Sequence, residues 1–484
     1  MSTSIEEKVK VGSRVLVVNP SNSYWSLFLT SEVALRAQNL GAEVTWINVA
    51  RKQSKKFEVN KNDLLPRWRY QNLAKKVTTK LKAEGILIGA RSPVTSENFH
   101  VPSFSSIAEL RRYRIHNINL GAMIFSSVSS ALKTTSFEVS YVRNFIRHYL
   151  KSANHIYHNV NQIISESMPD LIITINDRIL GSALTLAIAE EKGITHSVVY
   201  FGSQINSTEL YENSLYDADE WQAKVQEHWL RFPPSDQELI TVEKKIEELA
   251  SGPSKDSQKY LLNQKSGHVP KWQGRTIVFY AQSEYEHSAY FIPEVSNRFA
   301  NQYEAFTCLQ EVAKSNGYRL ILKYHPYPIG VKFKNLKKRS NVDWSSVKID
   351  QDVIQLNEES EVDTYELIIN SDLNVVWSST VGLESLARSR PTLVLGNTQW
   401  LNMEWGIHVW NRENIESFFK NDFPTFERSV LFKWYWYLDS FGNPTRFTQL
   451  AGYNLKICGQ TLTKERAYLA PIKLLRHLRA TKSS

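Results

Sequence analysis

The chain has 484 residues, 42% of them hydrophobic and 22% charged, with a net charge of +9, the profile of an ordinary soluble globular chain of about two to four domains. Its two cysteines, Cys308 and Cys458, exclude a disulfide framework and make a reducing cytoplasm the default. The longest charge-free stretch near the middle, 118–132, is interrupted by Ser and Asn and is too short to cross a bilayer.

The first ten residues are polar and charged and do not read as a signal peptide. Residues 14–18 read as a strand, followed by the turn Asn19-Pro20-Ser21-Asn22-Ser23. Apolar residues at helical spacing over 27–40 and a stop at Gly41 predict a helix, and 43–48 a second strand. This is one βαβ unit. Its turn lacks the Gly-x-Gly-x-x-Gly spacing and so excludes a dinucleotide fingerprint. Between Arg51 and Lys82 eleven Lys or Arg stand against two acids, Glu58 and Asp63. That run reads either as a solvated face or as a patch for anionic lipid or a phosphorylated acceptor. Nucleic acid is disfavoured, because no zinc-finger, helix-turn-helix or ribonucleoprotein signature accompanies the charge.

A short strand candidate lies at 85–89, and a long helix is predicted over 139–168, ended by Pro169. His148, His155 and His158 sit on that helix, but no Cys or paired acid joins them, so no metal site is expected. Residues 170–175, 180–192 and 195–201 form a second βαβ unit, with Asp177 at the carboxyl end of its first strand. Open α/β sheets present their ligand groups at that edge. Residues 205–273 are polar and broken by Pro233-Pro234 and Gly252-Pro253, and read as helices and linker.

A second sheet begins at 275–280, with Gln282 to His287 beyond its carboxyl end. A helix over 301–315 leads to a strand over 318–324 that ends in His325-Pro326, and 352–356 is a weak strand. The stretch 363–396 reads as helix, strand, polar turn, helix, strand. Asp363 is its first N-cap, Leu373 to Trp377 a buried strand, Ser378-Ser379-Thr380 the turn, and Pro391 the stop before a strand over 392–395. Gly382 lets the backbone approach whatever lies there, and free N–H groups with a helix dipole suit an anion. Beyond it come Trp400, Trp405, Trp410, Trp434, Tyr435, Trp436 and Tyr437, read as packing rather than a sugar face. A basic amphipathic helix is predicted over 464–482, either folded on the body or lying on a membrane.

Lys323-Tyr324-His325-Pro326 resembles the His-Pro motif of bacterial capsule-type transferases, and Ser378-Ser379-Thr380-Val381-Gly382-Leu383-Glu384 resembles their Ser-Ser or Ser-Thr motif. Both occur in capsule-type Kdo transferases, polysialyltransferases and CDP-glycerol glycerophosphotransferases. The resemblance is good over 318–400 and vague over the first 270 residues.

It implies an α/β chain of GT-B type, two Rossmann-like domains facing across a cleft. Residues 1–204 would form the acceptor domain, 205–273 a linker with helices, 274–400 the donor domain and 401–484 a helical extension packing back on the body. It also implies a glycosyltransferase that moves a sugar from a nucleotide-sugar donor to a surface polysaccharide or lipid-linked glycan, with no cofactor and no metal, in the cytoplasm or at the inner membrane face through 51–82 and 464–482. His325, Ser378, Ser379 and Thr380 would hold the donor phosphate, with Lys323, Pro326, Gly382 and Glu384 beside them. Glu384 reads equally as a ligand to sugar hydroxyls and as compensation of a helix dipole. His325 is also a candidate proton donor. Asp177 and then Glu284 are the candidates for a general base, which a retaining reaction would not need. Three rival readings stay open: a non-hydrolysing nucleotide-sugar epimerase, a glycerophosphate transferase, and a non-catalytic subunit of a polysaccharide assembly complex.

Overall fold

The computed structural model describes residues 4–50, 67–89, 102–132, 135, 137–178, 180–204, 206–212, 217–251, 272–282, 298–325, 344, 347–357, 360, 362–396, 398–400, 407–451 and 454–462. In chain order these form α1 (Ile5–Lys8), β1 (Arg14–Asn19), α2 (Tyr24–Asn39), β2 (Glu43–Asn48), α3 (Arg67–Ala83) and β3 (Leu87–Ile88). Next come α4 (Ile107–Arg112), α5 (Leu120–Leu132), α6 (Val139–Ser167), β4 (Leu171–Ile175), α7 (Leu180–Glu191), β5 (Thr195–Phe201) and β6 (Ser207–Tyr211). Helices α8 (Ala218–Arg231) and α9 (Asp236–Ser251) precede a second alternation of strand and helix. It runs β7 (Thr276–Tyr280), α10 (Gln302–Ser315), β8 (Arg319–Lys323), β9 (Ile354–Leu356), α11 (Thr364–Asn370), β10 (Leu373–Val376), α12 (Val381–Ala387), β11 (Thr392–Val394) and β12 (Ile407–His408). The last elements are α13 (Arg412–Phe418), α14 (Phe432–Ser440), β13 (Asn443–Pro444), β14 (Thr448–Ala451), β15 (Asn454–Ile457) and β16 (Gln460–Thr461).

The chain divides into two compact units, an amino-terminal one from Thr3–Phe99, Lys151–Leu215 and Gly442–Ser484, and a carboxy-terminal one from His100–Leu150 and Tyr216–Phe441. The sequence boundaries at 204, 273 and 400 cut across these units. Residues 102–150 cluster with the carboxy-terminal sheet. The segment read as one extension is shared: 407–441 stays with that sheet, and 442–462 joins the amino-terminal unit.

Each unit is built on a doubly wound sheet. In the amino-terminal unit the order is β13-β6-β5-β4-β1-β2-β3, with β1 to β5 parallel and β6 antiparallel to β5. In the carboxy-terminal unit the order is β12-β11-β10-β7-β8-β9, all parallel. Numbered within itself, the carboxy-terminal sheet reads 3-2-1-4-5-6, the order of a Rossmann fold, and the amino-terminal sheet has the same order with β13 added antiparallel beyond β6 as a seventh strand. The strands β4, β7 and β10 are buried along their whole length, as central strands of a parallel sheet covered on both faces are. Helices end where the chain reverses: Gly41 at φ +87° and Gly193 at φ +65° adopt left-handed backbone that a side chain would oppose.

Among the described residues, six strands escaped the sequence reading: β12 to β16 lie in the segment 401–484 read as a helical extension, where β14, β15 and β16 form a small sheet of their own, and β6 is the sixth. β6 lies inside the stretch read as helices and linker. Its Ser-Thr-Glu-Leu-Tyr sequence carries its apolar residues side by side, so alternation gave no signal, yet pairing with β5 buries it. The late aromatics within the described residues do pack. Trp434 and Tyr437 of α14 lie 5.5 and 5.6 Å from Trp221 of α8, in the carboxy-terminal unit. Trp405 and the segment 464–482 lie outside the described residues.

Candidate active site

A 3-2-1-4-5-6 sheet has its crevice where the chain, having wound out from strand 1, returns to lay strand 4 on the other side. In the carboxy-terminal unit that point lies between the carboxyl ends of β7 and β10. The register fixes what stands there. Tyr280 pairs with Lys323 and with Val376, Val376 with Val394, and Val394 with His408. Phe279, Ala281, Leu322, Tyr324, Val375, Trp377, Leu393 and Leu395 all belong to one core cluster. Side chains alternate between faces, so the row Lys323, Tyr280, Val376, Val394 lies on the other face. The ladder continues past the strands: Ala281 N–H donates to Lys323 C=O at 2.9 Å and Gly396 N–H to Trp377 C=O at 2.8 Å. Two residues further along, the same alternation brings His325, Gln282 and Ser378 to the carboxyl edge.

A side-chain bond joins the two loops across this point. Ser378 Oγ–H donates to Gln282 Oε1. Ser379 accepts the N–H of Val381 through Oγ at 3.3 Å, and its C=O accepts the N–H of Gly382 at 3.0 Å. Among the described residues the Ser379 hydroxyl proton has no acceptor. Thr380 is exposed and makes no side-chain cap, although it occupies the N-cap position of α12. Ser378 is buried, while Ser379 and His325 are half-buried.

The other residues expected here stand further in. Lys323 is 3% exposed and lies one row below the edge. Gly382 does permit a close approach, but what fills it is protein: a Cβ there would lie 2.6 Å from Trp400 Cη2 and 3.1 Å from Val376 Cγ2. Glu384 is 4% exposed. Its charge, with burial as the larger cause, holds the Tyr280 hydroxyl well above its ordinary pKa. Burial lowers the Arg388 guanidinium, which Glu384 partly restores. Tyr280 in turn donates to Asn374 Oδ1 at 3.0 Å, and Arg388 lies 4.6 Å over the Tyr365 ring. Glu384 is thus part of a buried polar layer under α12. Pro326 and Glu284 lie outside the described residues.

The equivalent point of the amino-terminal sheet lies between β1 and β4. Asn19 is buried there and accepts from Ser26 Oγ at 2.5 Å and Thr30 Oγ1 at 3.3 Å, while donating to Ser21 C=O at 2.8 Å. Asn48 donates to Asn22 Oδ1 at 2.8 Å. Asp177 follows Asn176, whose backbone is left-handed at φ +42° and whose Oδ1 accepts the Arg178 N–H at 3.1 Å. Asp177 therefore stands at the carboxyl edge of its own sheet, in the other unit from Ser378. His148 and His155 are engaged within α6, His148 beside the Tyr149 ring and His155 through Asn159.

Sequence reasoning missed Gln282 as a site residue, and Gln302 altogether. Gln302 is wholly buried and bonds both backbone groups of Gln282, at 3.0 and 2.9 Å. Nothing local marks it, because a glutamine at the first helical position is ordinarily an exposed residue.

No protein-family model and no curated protein matches the chain. Solved structures do. A β-Kdo 2,7 transferase, KpsC of Thermosulfurimonas dismutans, aligns over 57% of this chain and 79% of its own at 15% identity, with a TM-score of 0.32. The UDP-GlcNAc 2-epimerase of Methanocaldococcus jannaschii aligns over 86% and 94% at 11% identity, with a TM-score of 0.27. The calicheamicin glycosyltransferase CalG4 aligns over 88% and 93% at 12% identity, with a TM-score of 0.24. At scores of this size the likeness assigns neither an activity nor a residue to this chain.

Proposed function

We propose that this chain is a glycosyltransferase of GT-B type that transfers a sugar from a nucleotide-sugar donor to a surface glycan or lipid-linked glycan. The observation that supports it is the convergence of the two motif turns. His325, from the His-Pro motif, follows β8, and Ser378-Ser379, from the serine motif, follow β10, so both motifs stand at the carboxyl edge of one Rossmann sheet on either side of β7, whose end borders the topological switch point. As the bond between sugar and nucleotide breaks, charge grows on the leaving phosphate. Positioned O–H, N–H and imidazole donors stabilise that charge, and His325 can deliver a proton to it.

On this reading the carboxy-terminal unit takes the donor and the amino-terminal unit the acceptor. Asp177 is the candidate base if the reaction inverts, with Glu284 behind it. No resident metal is invoked. The basic segments 51–82 and 464–482 are assigned to contact with an anionic membrane face; 51–66 and all of 464–482 lie outside the described residues. Among the described residues no helix is long and apolar enough to cross a membrane.

The test is a thermal-shift panel of UDP, CMP, CDP and GDP. A nucleotide at about 100 times its Kd stabilises the native state by roughly 2.7 kcal/mol, so at least one should raise the melting temperature. His325→Ala and Ser379→Ala should each weaken that binding, or the transfer rate, by about 1–3 kcal/mol. If no nucleotide shifts the wild-type protein, the transferase reading fails. Turnover of UDP-N-acetylglucosamine without an acceptor would identify an epimerase instead.

A further inference from the structure

The first serine of the motif does not present a proton to a ligand in this arrangement. A hydroxyl has one proton to give, and that of Ser378 is directed to Gln282 Oε1. The same bond orients the carboxamide. With Oε1 turned to Ser378, the two N–H groups of Nε2 face elsewhere, and among the described residues they have no acceptor.

The backbone of Gln282 is fixed as well. Past the end of β7 its N–H and C=O have left the ladder, and buried backbone groups need partners. Gln302 supplies both: its Oε1 accepts the Gln282 N–H at 3.0 Å and its Nε2 donates to the Gln282 C=O at 2.9 Å. Gln302 is itself held as the first residue of α10, where Asn301 caps the helix by accepting from Tyr303 and Glu304 N–H, each at 3.0 Å. So a buried amide clamps the main chain of Gln282, and a buried hydroxyl sets its side chain.

We propose that Gln282 is a phosphate-binding residue of this site, its carboxamide N–H groups acting beside the Ser379 hydroxyl, with Ser378 and Gln302 as the residues that position it. The ligand class is the phosphate of the nucleotide donor, and the inference rests on the nucleotide-sugar reading above. The opposite orientation of the amide would turn a carbonyl oxygen toward the anion, which repels it, and would make Ser378 the direct ligand. The two arrangements therefore rank the variants differently.

The experiment measures the affinity of whichever of UDP, CMP, CDP and GDP binds the wild-type protein, by calorimetry on the full chain. Gln282→Ala should bind about tenfold more weakly, the worth of one hydrogen bond to a charged group. Ser378→Ala, which loses the contact that orients the carboxamide but keeps the carboxamide itself, should bind better than Gln282→Ala. Gln282→Glu keeps the acceptor for Ser378 and the clasp of Gln302, so it should fold. At pH 8 its carboxylate faces the phosphate and should cost about a hundredfold, from charge repulsion added to the lost donor. At pH 5 partial protonation restores an O–H donor, and the gap to Gln282→Ala should close. Gln302→Leu should weaken binding in the wild-type background and add little to Gln282→Ala, a coupling that a merely structural role would not produce. Wild-type affinity in Gln282→Ala, or a larger loss in Ser378→Ala than in Gln282→Ala, overturns the inference. If Ser379→Ala still loses affinity, the transferase reading survives that failure. Absence of binding by the wild-type protein removes both.

Discussion

His408 shows what a single side chain can do to the pH range of this protein. Neither ring nitrogen is exposed, and neither has a partner among the described residues. The ring stacks on Trp410 at 6.0 Å, and Arg298 lies 4.0 Å over that same indole. Burial pulls the imidazole from 6.5 down to about 4. Its folded pKa is thus below its unfolded one, so in the intervening range the unfolded chain binds more protons. The stability is fully present above pH 6.5 and is lost as the pH falls toward 4. At pH 5 the loss should be roughly 2 kcal/mol relative to pH 7.5. Urea denaturation of wild-type protein and His408→Phe at both pH values checks this. The phenylalanine variant should show the smaller pH dependence, and parallel profiles would show that another group is responsible.

At the scale of elements, the strand–turn–helix–strand around α12 was legible because each boundary has a local cause. Asp363 caps α11 by accepting from Tyr365 and Glu366 N–H at 2.7 and 3.0 Å, and Pro391 stands just before β11. What packs on these elements was not legible. Gly382 reads in sequence as room for a ligand, yet its neighbour is Trp400, eighteen residues on in the chain. Gln282 and Ser378 are 96 residues apart, and only the switch-point topology makes them neighbours. The competition at Gly382 can be measured. Alanine in a helix gains about 0.5–1 kcal/mol over glycine, while forcing a methyl against a well-packed neighbour costs typically 1–3 kcal/mol. Here that neighbour is the rigid end of an indole, with Val376 close behind, so the clash should win. Gly382→Ala should lower the urea midpoint, and Trp400→Phe added to it should recover part of the loss. A Gly382→Ala protein more stable than wild type would show that the indole moves aside freely.

For the whole molecule, the least legible fact is that the amino-terminal unit is assembled from three separate stretches, the last of which starts at Gly442. Hydrophobic periodicity describes each element and says little about which distant segment covers it. The reason for this closure is a residue the helical pattern treats as incidental. Glu32, in the middle of α2, is wholly buried. Its Oε1 accepts the Arg446 N–H at 2.7 Å, and its Oε2 accepts the N–H of Phe447 at 3.0 Å and of Thr448 at 2.8 Å, with the Thr448 hydroxyl at 2.9 Å. Arg36, 3% exposed, lies 3.3 Å from the same carboxylate and donates to Pro444 C=O. One carboxylate therefore satisfies three successive backbone donors more than 400 residues away and balances a buried guanidinium. Removing it leaves those donors without their partner and the guanidinium with Glu6, 3.7 Å away, and breaking a buried pair from one side costs about 3–5 kcal/mol. Glu32→Ala should therefore release the segment around β14 and β15. Hydrogen exchange should quicken at the amides of 446–448, while β7, β8 and β10 of the other unit keep their protection. Glu32→Gln, which retains one acceptor oxygen but not the charge, should fall between the two. Equal exchange at 446–448 in wild type and Glu32→Ala would mean that the apolar contacts of Leu450, Leu455 and Ile457 with the core, rather than the carboxylate, hold the segment in place.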